Sequence, residues 1–425
     1  MTAAARRMTA AALLLLCVAG CSMSSAPQFR LNTEGRNPAS ISRTQGEAIG
    51  EALGGLFGTP DEPKVPTGVE LDLKRLRAAA GPIAGDAQGN QRGLFRRHCA
   101  ACHGTAGDGA GPTAGVLNPY PRDFRNGVFK FTSTAGGAKP LRDDLLRTLR
   151  EGLPGTAMPS FRNLPDRELD ALLEYVKYLS IRGQTELSLL QKVVDEDAAL
   201  PVPTHEVLAD DVLPAARSWD EARGLAIVPP PPPSTDTPEQ LAASIAQGDQ
   251  LFHGPESQCV KCHGPLGDGR GQQAELYDDW NLRKKGATPE ETRSLAGRFR
   301  LPIQRVRPRN FTLESFRGGQ RPIDQYWRIA GGIKGTPMPP AGPAPGSPAV
   351  LRPDDIWHLV NYVRSLRGHR PPDNKKIPSP LAISSPRPTS GRGDRITVTV
   401  SSWVAPIALL SGCRQAQEVP APREK

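Results

Sequence analysis

The chain has 425 residues, and its 44 prolines, 43 glycines and 5% aromatic residues indicate that much of it lies outside packed cores. Its formal net charge of +9 at pH 7 is a modest excess. This charge favours anionic lipid or an acidic protein over nucleic acid as a partner. The sequence also shows no phosphate-binding glycine loop, catalytic triad or pair of catalytic carboxylates.

The first segment has the pattern of an export signal. Arg6 and Arg7 precede an apolar run that is too short to span a membrane. The run ends in Val18-Ala19-Gly20-Cys21, which resembles a bacterial lipoprotein processing site, where cleavage precedes a cysteine that is then acylated. We expect removal of residues 1–20 and lipidation of Cys21, which predicts a periplasm-facing membrane lipoprotein. An ordinary cleaved signal beside a chance cysteine is the alternative.

Three further segments have the composition of connections rather than domains. Residues 21–80 are rich in Ser, Gly, Pro and charge, which predicts a disordered tether. Residues 183–240 predict a linker, stiffened by the run Pro229–Pro233, and within it 187–200 has the pattern of a short helix. Residues 369–425 are rich in Pro, Ser and Arg and predict a disordered tail.

The pentapeptide Cys99-Ala100-Ala101-Cys102-His103 recurs as Cys259-Val260-Lys261-Cys262-His263. C-x-x-C-H is the attachment signature of c-type haem, because two cysteines at this spacing form thioethers to one porphyrin and the next imidazole binds the iron. The sequence therefore predicts two covalently bound haem c groups. Their predicted thioether residues are Cys99, Cys102, Cys259 and Cys262, and their predicted proximal ligands are His103 and His263. A zinc site built from two C-x-x-C pairs would not explain the histidine after each pair.

The two motifs belong to two copies of one repeat. In each copy a helix-like segment precedes the motif, and Gly-Asp-Gly, Pro-Arg-x-Phe and Gly-Thr-x-Met-Pro segments follow it. An amphipathic helix with a 3.6-residue period closes each copy. The matching segments are 107–109 and 267–269, 121–124 and 308–311, 155–159 and 335–339, and the closing helices after Pro165 and Pro353. We predict two small helical domains, at 81–182 and 241–368.

Methionine placement predicts the second iron ligand. Met158 and Met338 are the only two of the five methionines beyond residue 24, and both occupy the same loop of the repeat. Methionine usually fills cores, but this confinement favours axial ligation of the haem iron. A histidine and methionine pair raises the haem potential, because a thioether is a soft, neutral ligand that favours ferrous iron. The iron would be six-coordinate and closed to substrate.

These residues resemble the class I c-type cytochrome family over about 85–182 and 241–368. The resemblance implies an all-α fold of two tandem cytochrome c domains joined by the Pro-rich linker. Together with the lipobox-like site at Cys21, it predicts a dihaem lipoprotein. It also implies that the first and last helices of each domain pack together, through Phe95 with Tyr175 and Phe252 with Tyr362.

In this family a backbone carbonyl of a Gly-Pro turn holds the proximal histidine, a role that Gly111-Pro112 fits in the first copy. The second copy departs from the family here, with Gly271-Gln272. It also carries an insertion at about 272–307, with basic residues at 283–285. We expect the insertion to be a solvated loop, with a docking surface as the alternative.

Other side chains compete for these roles. His98, His253 and His358 are rival iron ligands that we expect to be surface or packing residues. Arg122 and Arg309 either pair with haem propionates or have a plain surface role.

The sequence thus favours an electron carrier, not an enzyme, that serves a donor and an acceptor redox protein, in a respiratory chain, at the membrane and without nucleic acid. One alternative is a dihaem enzyme, a peroxidase or sulfur-compound oxidase, which needs an iron with an exchangeable ligand. Another is an electron-transfer subunit of a larger membrane oxidoreductase. Cys413, in a second lipobox-like stretch near the C-terminus, has no explanation.

Overall fold

A computed structural model describes residues 27–85, 89, 91–200, 203–273, 276–277, 288–313, 315–344 and 348–368. This part of the chain is all-α, as predicted, apart from a short antiparallel sheet of β1 (Ala84–Gly85) and β2 (Gln91–Arg92). The predicted signal sequence, Cys21, the basic residues at 283–285 and the tail with Cys413 lie outside the described residues. None of the described helices combines the length and apolar character that crossing a bilayer requires.

The segment predicted as a disordered tether is folded over residues 27–80, which corrects that part of the prediction. It forms helices α1 (Arg43–Phe57) and α2 (Leu73–Ala79). A capping box starts α1, in which Ser42 and Gln45 exchange hydrogen bonds between side chain and backbone.

Helix α1 packs against the first of the two repeated domains. Its buried residues are Ile49, Leu53, Leu56 and Phe57. Tyr178 of the domain donates its hydroxyl proton to the carbonyl of Phe57 at 2.5 Å. The apolar positions of α1 follow a helical period, but glycine and charged residues lie between them, so composition indicated a tether where spacing indicates a helix.

The first domain has the predicted helix pair. Its helices are α3 (Leu94–His98), α4 (Ala100–His103), α5 (Arg142–Glu151) and α6 (Asp166–Leu190). Phe95 packs against Tyr175 with ring centroids 5.0 Å apart, which brings α3 onto α6. Both rings are almost fully buried, so this crossing forms the centre of the domain core.

The predicted linker begins later than expected. Helix α6 continues without a break to Leu190, and π-helical turns and the short helices α7 (Thr204–Val207) and α8 (Leu213–Glu221) follow it. Leu190, Val193 and Val212 are fully buried in the core of the first domain. These scattered apolar residues extend that core beyond residue 182, which corrects the predicted boundary.

The stiffness predicted for the run Pro229–Pro233 stays a prediction, and the chain around this run lies on the protein. Ile227 pairs with the first domain, where its amide donates to the Ser133 carbonyl at 2.8 Å. Trp327 and Trp357 of the second domain then donate their indole protons to the carbonyls of Ile227, at 3.2 Å, and Pro230, at 2.8 Å. The connection therefore contacts both domains.

The second domain repeats the first. Its helices are α9 (Pro238–His253), α10 (Cys259–His263), α11 (Pro289–Ala296), α12 (Pro322–Ala330) and α13 (Pro353–Ser365). Phe252 packs against Tyr362 at 5.2 Å, as predicted from the resemblance. A Cβ at Gly248 would lie 2.1 Å from the His358 carbonyl oxygen, so glycine allows α9 and α13 to cross closely.

The insertion of the second domain contacts the first domain where it is described. Arg300 forms ion pairs with Glu34 and Asp108, at 2.8 and 2.7 Å. Gln304 donates to the Leu117 carbonyl at 2.9 Å, and the hydroxyl of Tyr120 donates to the Pro302 carbonyl at 3.0 Å. The stretch 298–304 is therefore an intramolecular clasp, not the solvated loop that we expected.

Candidate haem sites

Each C-x-x-C-H motif forms one short helix, α4 in the first domain and α10 in the second. All four motif cysteines are half-buried, and none of them is in a disulfide bond. The helix of each motif ends at a glycine with positive φ, Gly104 at 74° and Gly264 at 73°, which turns the chain away just after the histidine.

Both motif histidines are oriented by a backbone carbonyl that we did not predict. The Nδ1 proton of His103 is donated to the carbonyl of Arg122 at 2.9 Å, and that of His263 to the carbonyl of Arg309 at 3.4 Å. Donation from Nδ1 fixes the tautomer, so Nε2 carries the lone pair that can bind iron. The carbonyl of Gly111-Pro112 does not fill this role, and the prediction for that turn was wrong.

Gly111 of that turn, and Gly271 at the equivalent position, allow a close backbone contact instead. A Cβ at Gly111 would lie 2.5 Å from the Ala101 carbonyl oxygen, and one at Gly271 would lie 2.3 Å from the Lys261 carbonyl oxygen. Each glycine therefore lets the loop press onto the motif helix. The following residue is not needed for this approach, which explains why Gln272 can replace Pro112.

Burial and stacking keep the two imidazoles neutral and fixed. Burial is the main cause that lowers the pKa of His103, and burial lowers the pKa of His263 to about 4. Phe124 stacks on His103 at 4.6 Å and 18°, and Phe311 on His263 at 4.5 Å and 23°. A neutral imidazole held in one orientation is the form that ligates iron.

The two methionine loops have the same hydrogen bonds. The amide of Leu153 donates to the Met158 carbonyl at 3.1 Å, and that of Ile333 to the Met338 carbonyl at 3.1 Å. The threonine two residues before each methionine accepts from its amide, at 3.1 Å in the first domain and 3.3 Å in the second. Both methionine side chains are half-buried. The two methionine loops therefore adopt the same hydrogen-bonded turn.

The rival histidines have other contacts. His98 packs edge-on against Phe161 at 5.9 Å. The ring nitrogens of His253 lie 3.0 Å from the carbonyls of Asp249 and Pro265. Nδ1 of His358 is 2.8 Å from the Ser244 hydroxyl.

The donor set fits a haem in each domain. Each site offers two thiols at thioether spacing, an imidazole with its free lone pair on Nε2, and a thioether sulfur on a repeated turn. Among the described residues, no group of three or more His, Cys, Asp and Glu side chains could hold a metal ion without a prosthetic group. Pairing of Arg122 and Arg309 with propionates stays a prediction.

Comparison with known families agrees with this donor set. Residues 87–176 match the family described as cytochrome c oxidase, cbb3-type, subunit III, and residues 245–367 match the family described as cytochrome c. The protein contains two cytochrome c domains. This dihaem cytochrome c therefore carries two covalently attached haem c groups and is an electron-transfer haem protein.

The dihaem cytochrome was also compared with individual proteins. A chain of the reducing HAO-like protein complex of Kuenenia stuttgartiensis is 25% identical in sequence to it. The match covers 65% of this chain and 94% of that chain, with a TM-score of 0.43. No curated protein matches the sequence significantly.

The two domains of the cytochrome meet through equivalent helices, α5 and α12. Arg147 of α5 donates to Asp144 of its own domain and to Asp324 of the other, both at 3.0 Å. Its guanidinium group also lies 5.0 Å from the ring centroid of Trp327. Asp144 and Asp324 each precede the methionine by fourteen residues. That shared position was a signal in the repeat that the sequence analysis did not use.

Proposed function

We propose that the protein is an electron carrier in which an electron enters one haem, crosses the domain interface and leaves from the other. The observation that carries this proposal is that both methionine turns lie at the interface. Gly155, in the turn of the first domain, accepts a hydrogen bond from Arg317 of the second at 3.1 Å. Lys334, beside the turn of the second, donates to Thr134 and Ala138 of the first.

The haem irons supply the cycle between ferric and ferrous states, and the residues supply ligands and orientation. The carbonyls of Arg122 and Arg309 fix the ring tautomer of His103 and His263. The repeated turns present Met158 and Met338 as the sixth ligands. An iron held by both a histidine and a methionine would have no open position for a substrate, which favours electron transfer over catalysis.

The proposal extends to the place of action. Residues 1–20 have the pattern of an export signal and Cys21 lies at a lipobox-like site, which supports a lipoprotein at the periplasmic side of a bacterial membrane. The lipid anchor would hold the carrier near membrane-bound redox partners of a respiratory chain.

A second candidate is an electron-transfer subunit of a larger membrane oxidoreductase. The match of residues 87–176 to a family described by an oxidase subunit favours it. Purification of the native protein in a mild detergent distinguishes the two. A free carrier elutes alone, whereas a subunit elutes with integral membrane proteins.

The carrier proposal is tested on the full chain, expressed with a haem-attachment apparatus. We expect two haems per chain, low-spin spectra in both oxidation states, and electron transfer between the haems after flash reduction of one of them. Colourless protein contradicts the proposal. So does a high-spin haem that turns over peroxide or thiosulfate, which would favour a dihaem enzyme.

The anchor is tested separately with Cys21→Ser. We expect the unaltered chain to incorporate radiolabelled palmitate and to sediment with membranes, and the variant to lose both properties. Ser22→Ala is the matched control, because it alters the neighbouring position and keeps the thiol. A variant that stays labelled contradicts acylation of Cys21.

A further inference from the structure

The two haem motifs lie in surfaces that differ in charge. The first motif face consists of residues 99–113 and 118–123, and the second motif face consists of the matching positions of the repeat, residues 259–273 and 305–310. The first face contains one cation and two carboxylates, whereas the second contains five cations and one carboxylate. The five cations are Lys261, Arg270, Arg305, Arg307 and Arg309. The two domains therefore share the haem motif but not the charge around it.

The two segments of the second motif face form one continuous surface. The amide of Gln273 donates to the Lys261 carbonyl at 3.0 Å, so the loop after the motif returns to the motif helix. A Cβ at Gly269 would lie 2.6 Å from the Pro308 carbonyl oxygen, so the shorter segment passes close to this loop. The sulfur of Cys262 lies 3.0 Å from Oε1 of Gln273, which is an exposed residue. A predicted thioether residue therefore belongs to this surface.

The side chains that distinguish the second motif face are exposed. Lys261, Leu266 and Arg270 are exposed residues, and the first domain has alanine at each matching position, 160 residues earlier. Leu266 is 50% exposed, and the side chain of Arg270 is 77% exposed. Lys261 donates to the neutral amide oxygen of Gln258 at 2.8 Å, and Arg270 lies 4.0 Å from the Asp268 carboxylate. An apolar side chain between two weakly paired cations is typical of a protein interface, where arginine is enriched and the rim is polar.

The first motif face is partly covered by the clasp of the second domain. Arg300 of the clasp pairs with Asp108 at 2.7 Å, and Gln304 accepts a hydrogen bond from the amide of Tyr120 at 3.1 Å. Arg307 has the position in the second domain that Tyr120 has in the first, and it is exposed. A position that is covered on one face is therefore an exposed cation on the other.

We propose that the second motif face is the docking surface for an acidic redox protein. The proposal rests on the carrier function, because the electron then enters or leaves the protein through the haem of the second domain. Complementary charge steers the encounter of two proteins and fixes their orientation. An anionic membrane offers the same charge, but a lipid neither donates nor accepts an electron. Because Cys262, a predicted thioether residue, lies in this face, the observations favour a redox protein.

The test measures electron transfer from the reduced, haem-loaded full chain to two oxidants of opposite charge by stopped flow. An acidic plastocyanin represents the partner, and the tris(phenanthroline)cobalt(III) cation is its opposite. In each reaction ferrous haem is oxidised, and Cu(II) or Co(III) is reduced by the same electron. In Arg270→Glu we expect the rate with plastocyanin to fall about tenfold at low ionic strength and the rate with the cobalt complex to rise.

Arg293→Glu is the matched control. It makes the same change of charge at another exposed arginine of the second domain, outside the motif face, and it should leave both rates unchanged. A change in haem potential moves both rates in the same direction, whereas a change in surface charge moves them in opposite directions. Salt should weaken the effect of Arg270→Glu, because exposed charges are screened over about 8 Å at physiological ionic strength.

Equal rates with plastocyanin in Arg270→Glu and in the unaltered chain overturn the proposal. So does weaker binding of Arg270→Glu to phosphatidylserine vesicles with unchanged electron transfer, which would identify a lipid-binding surface. Arg270→Gln removes the cation without adding a carboxylate and covers the case in which Arg270→Glu does not take up haem. We expect smaller changes in the same directions for this variant.

Failure of the docking surface and failure of the carrier function give different results. If the unaltered chain holds two reversibly reduced haems and its rates do not respond to these substitutions, the carrier function stands and the docking surface is wrong. If the unaltered chain holds no haem, the carrier function itself is wrong.

Discussion

His103 donates its Nδ1 proton to the carbonyl of Arg122 across 2.9 Å, whereas the equivalent atoms of His263 and Arg309 are 3.4 Å apart. A shorter hydrogen bond at Nδ1 makes the imidazole more basic at Nε2. A more basic ligand favours ferric iron. The two predicted ligand sets are therefore the same in type but differ in the strength of the proximal ligand.

We expect the haem of the first domain to have the lower midpoint potential. Potentiometric titration followed by visible absorption should resolve two steps. Met158→Ala assigns them, because it removes a ligand from the first haem alone. If the step that changes in this variant is the one at higher potential, the hydrogen-bond argument is wrong.

Loss of either methionine should open one iron only. In Met158→Ala we expect the first haem to become high-spin while the second stays low-spin, because the thioether is the predicted sixth ligand and each domain supplies its own. Met338→Ala should give the mirror result. Electron paramagnetic resonance of the ferric protein measures both. Two low-spin haems in Met158→Ala would mean that another side chain, such as His98, ligates the iron.

Gly111→Ala should destabilise the first haem site. Its Cβ would lie 2.5 Å from the Ala101 carbonyl oxygen, so the loop must move away from the motif helix. Overpacking of this kind costs about 1–3 kcal/mol. Guanidinium unfolding followed at the haem absorption band measures the loss. Gly137→Ala is the control, because no atom lies within 4 Å of a Cβ there and the position is exposed. Equal stability of the two variants would refute the close approach.

Phe57→Ala should destabilise the first domain strongly, although position 57 lies in the segment first predicted as a tether. The ring is fully buried and packs edge-on against Tyr178 at 5.9 Å. Removing a buried phenylalanine ring costs about 3–5 kcal/mol. Val116→Ala, at a position 88% exposed, should change little. Urea unfolding measures both variants, and a tether role for the segment predicts no difference between them.

Arg300→Ala should release the clasp formed by residues 298–304. Arg300 pairs with Glu34 and Asp108, and it is partly exposed, so we expect a loss of about 1 kcal/mol or less, weakened by salt. Limited proteolysis should cleave near residue 300 faster than in the unaltered chain. Arg293→Ala removes an exposed pair with Glu290 and should not alter cleavage. Unchanged proteolysis in Arg300→Ala would contradict the clasp.

The sequence predicted the features that recur in both domains and those that depend on rare residue types. The two C-x-x-C-H motifs, the confinement of Met158 and Met338, and the helix periods predicted two all-α cytochrome c domains, which the structure and the family matches confirm. The assignment of the iron ligands is still a prediction, and the geometry of the two sites agrees with it.

Other features had no such signal. The carbonyl that holds His103 belongs to Arg122, and a backbone carbonyl is the same in every residue, so its role depends on tertiary structure. Residues 27–80 and 183–225 were misjudged because proline, glycine and charge outweighed their spaced apolar residues. The clasp depends on contacts between residues that are 182 to 266 positions apart, as in Tyr120 with Pro302 and Glu34 with Arg300.

The proline run between the domains has a consequence for kinetics. Ile227 is hydrogen-bonded to Ser133 of the first domain and to Trp327 of the second, so the connection is held against both haem domains at this residue. The two haem centres then need no diffusive search to meet. Electron transfer between the two haems should therefore proceed at the same rate in water and in viscous sucrose solution. Domains joined by a flexible linker would transfer the electron more slowly in sucrose, because they must diffuse together first.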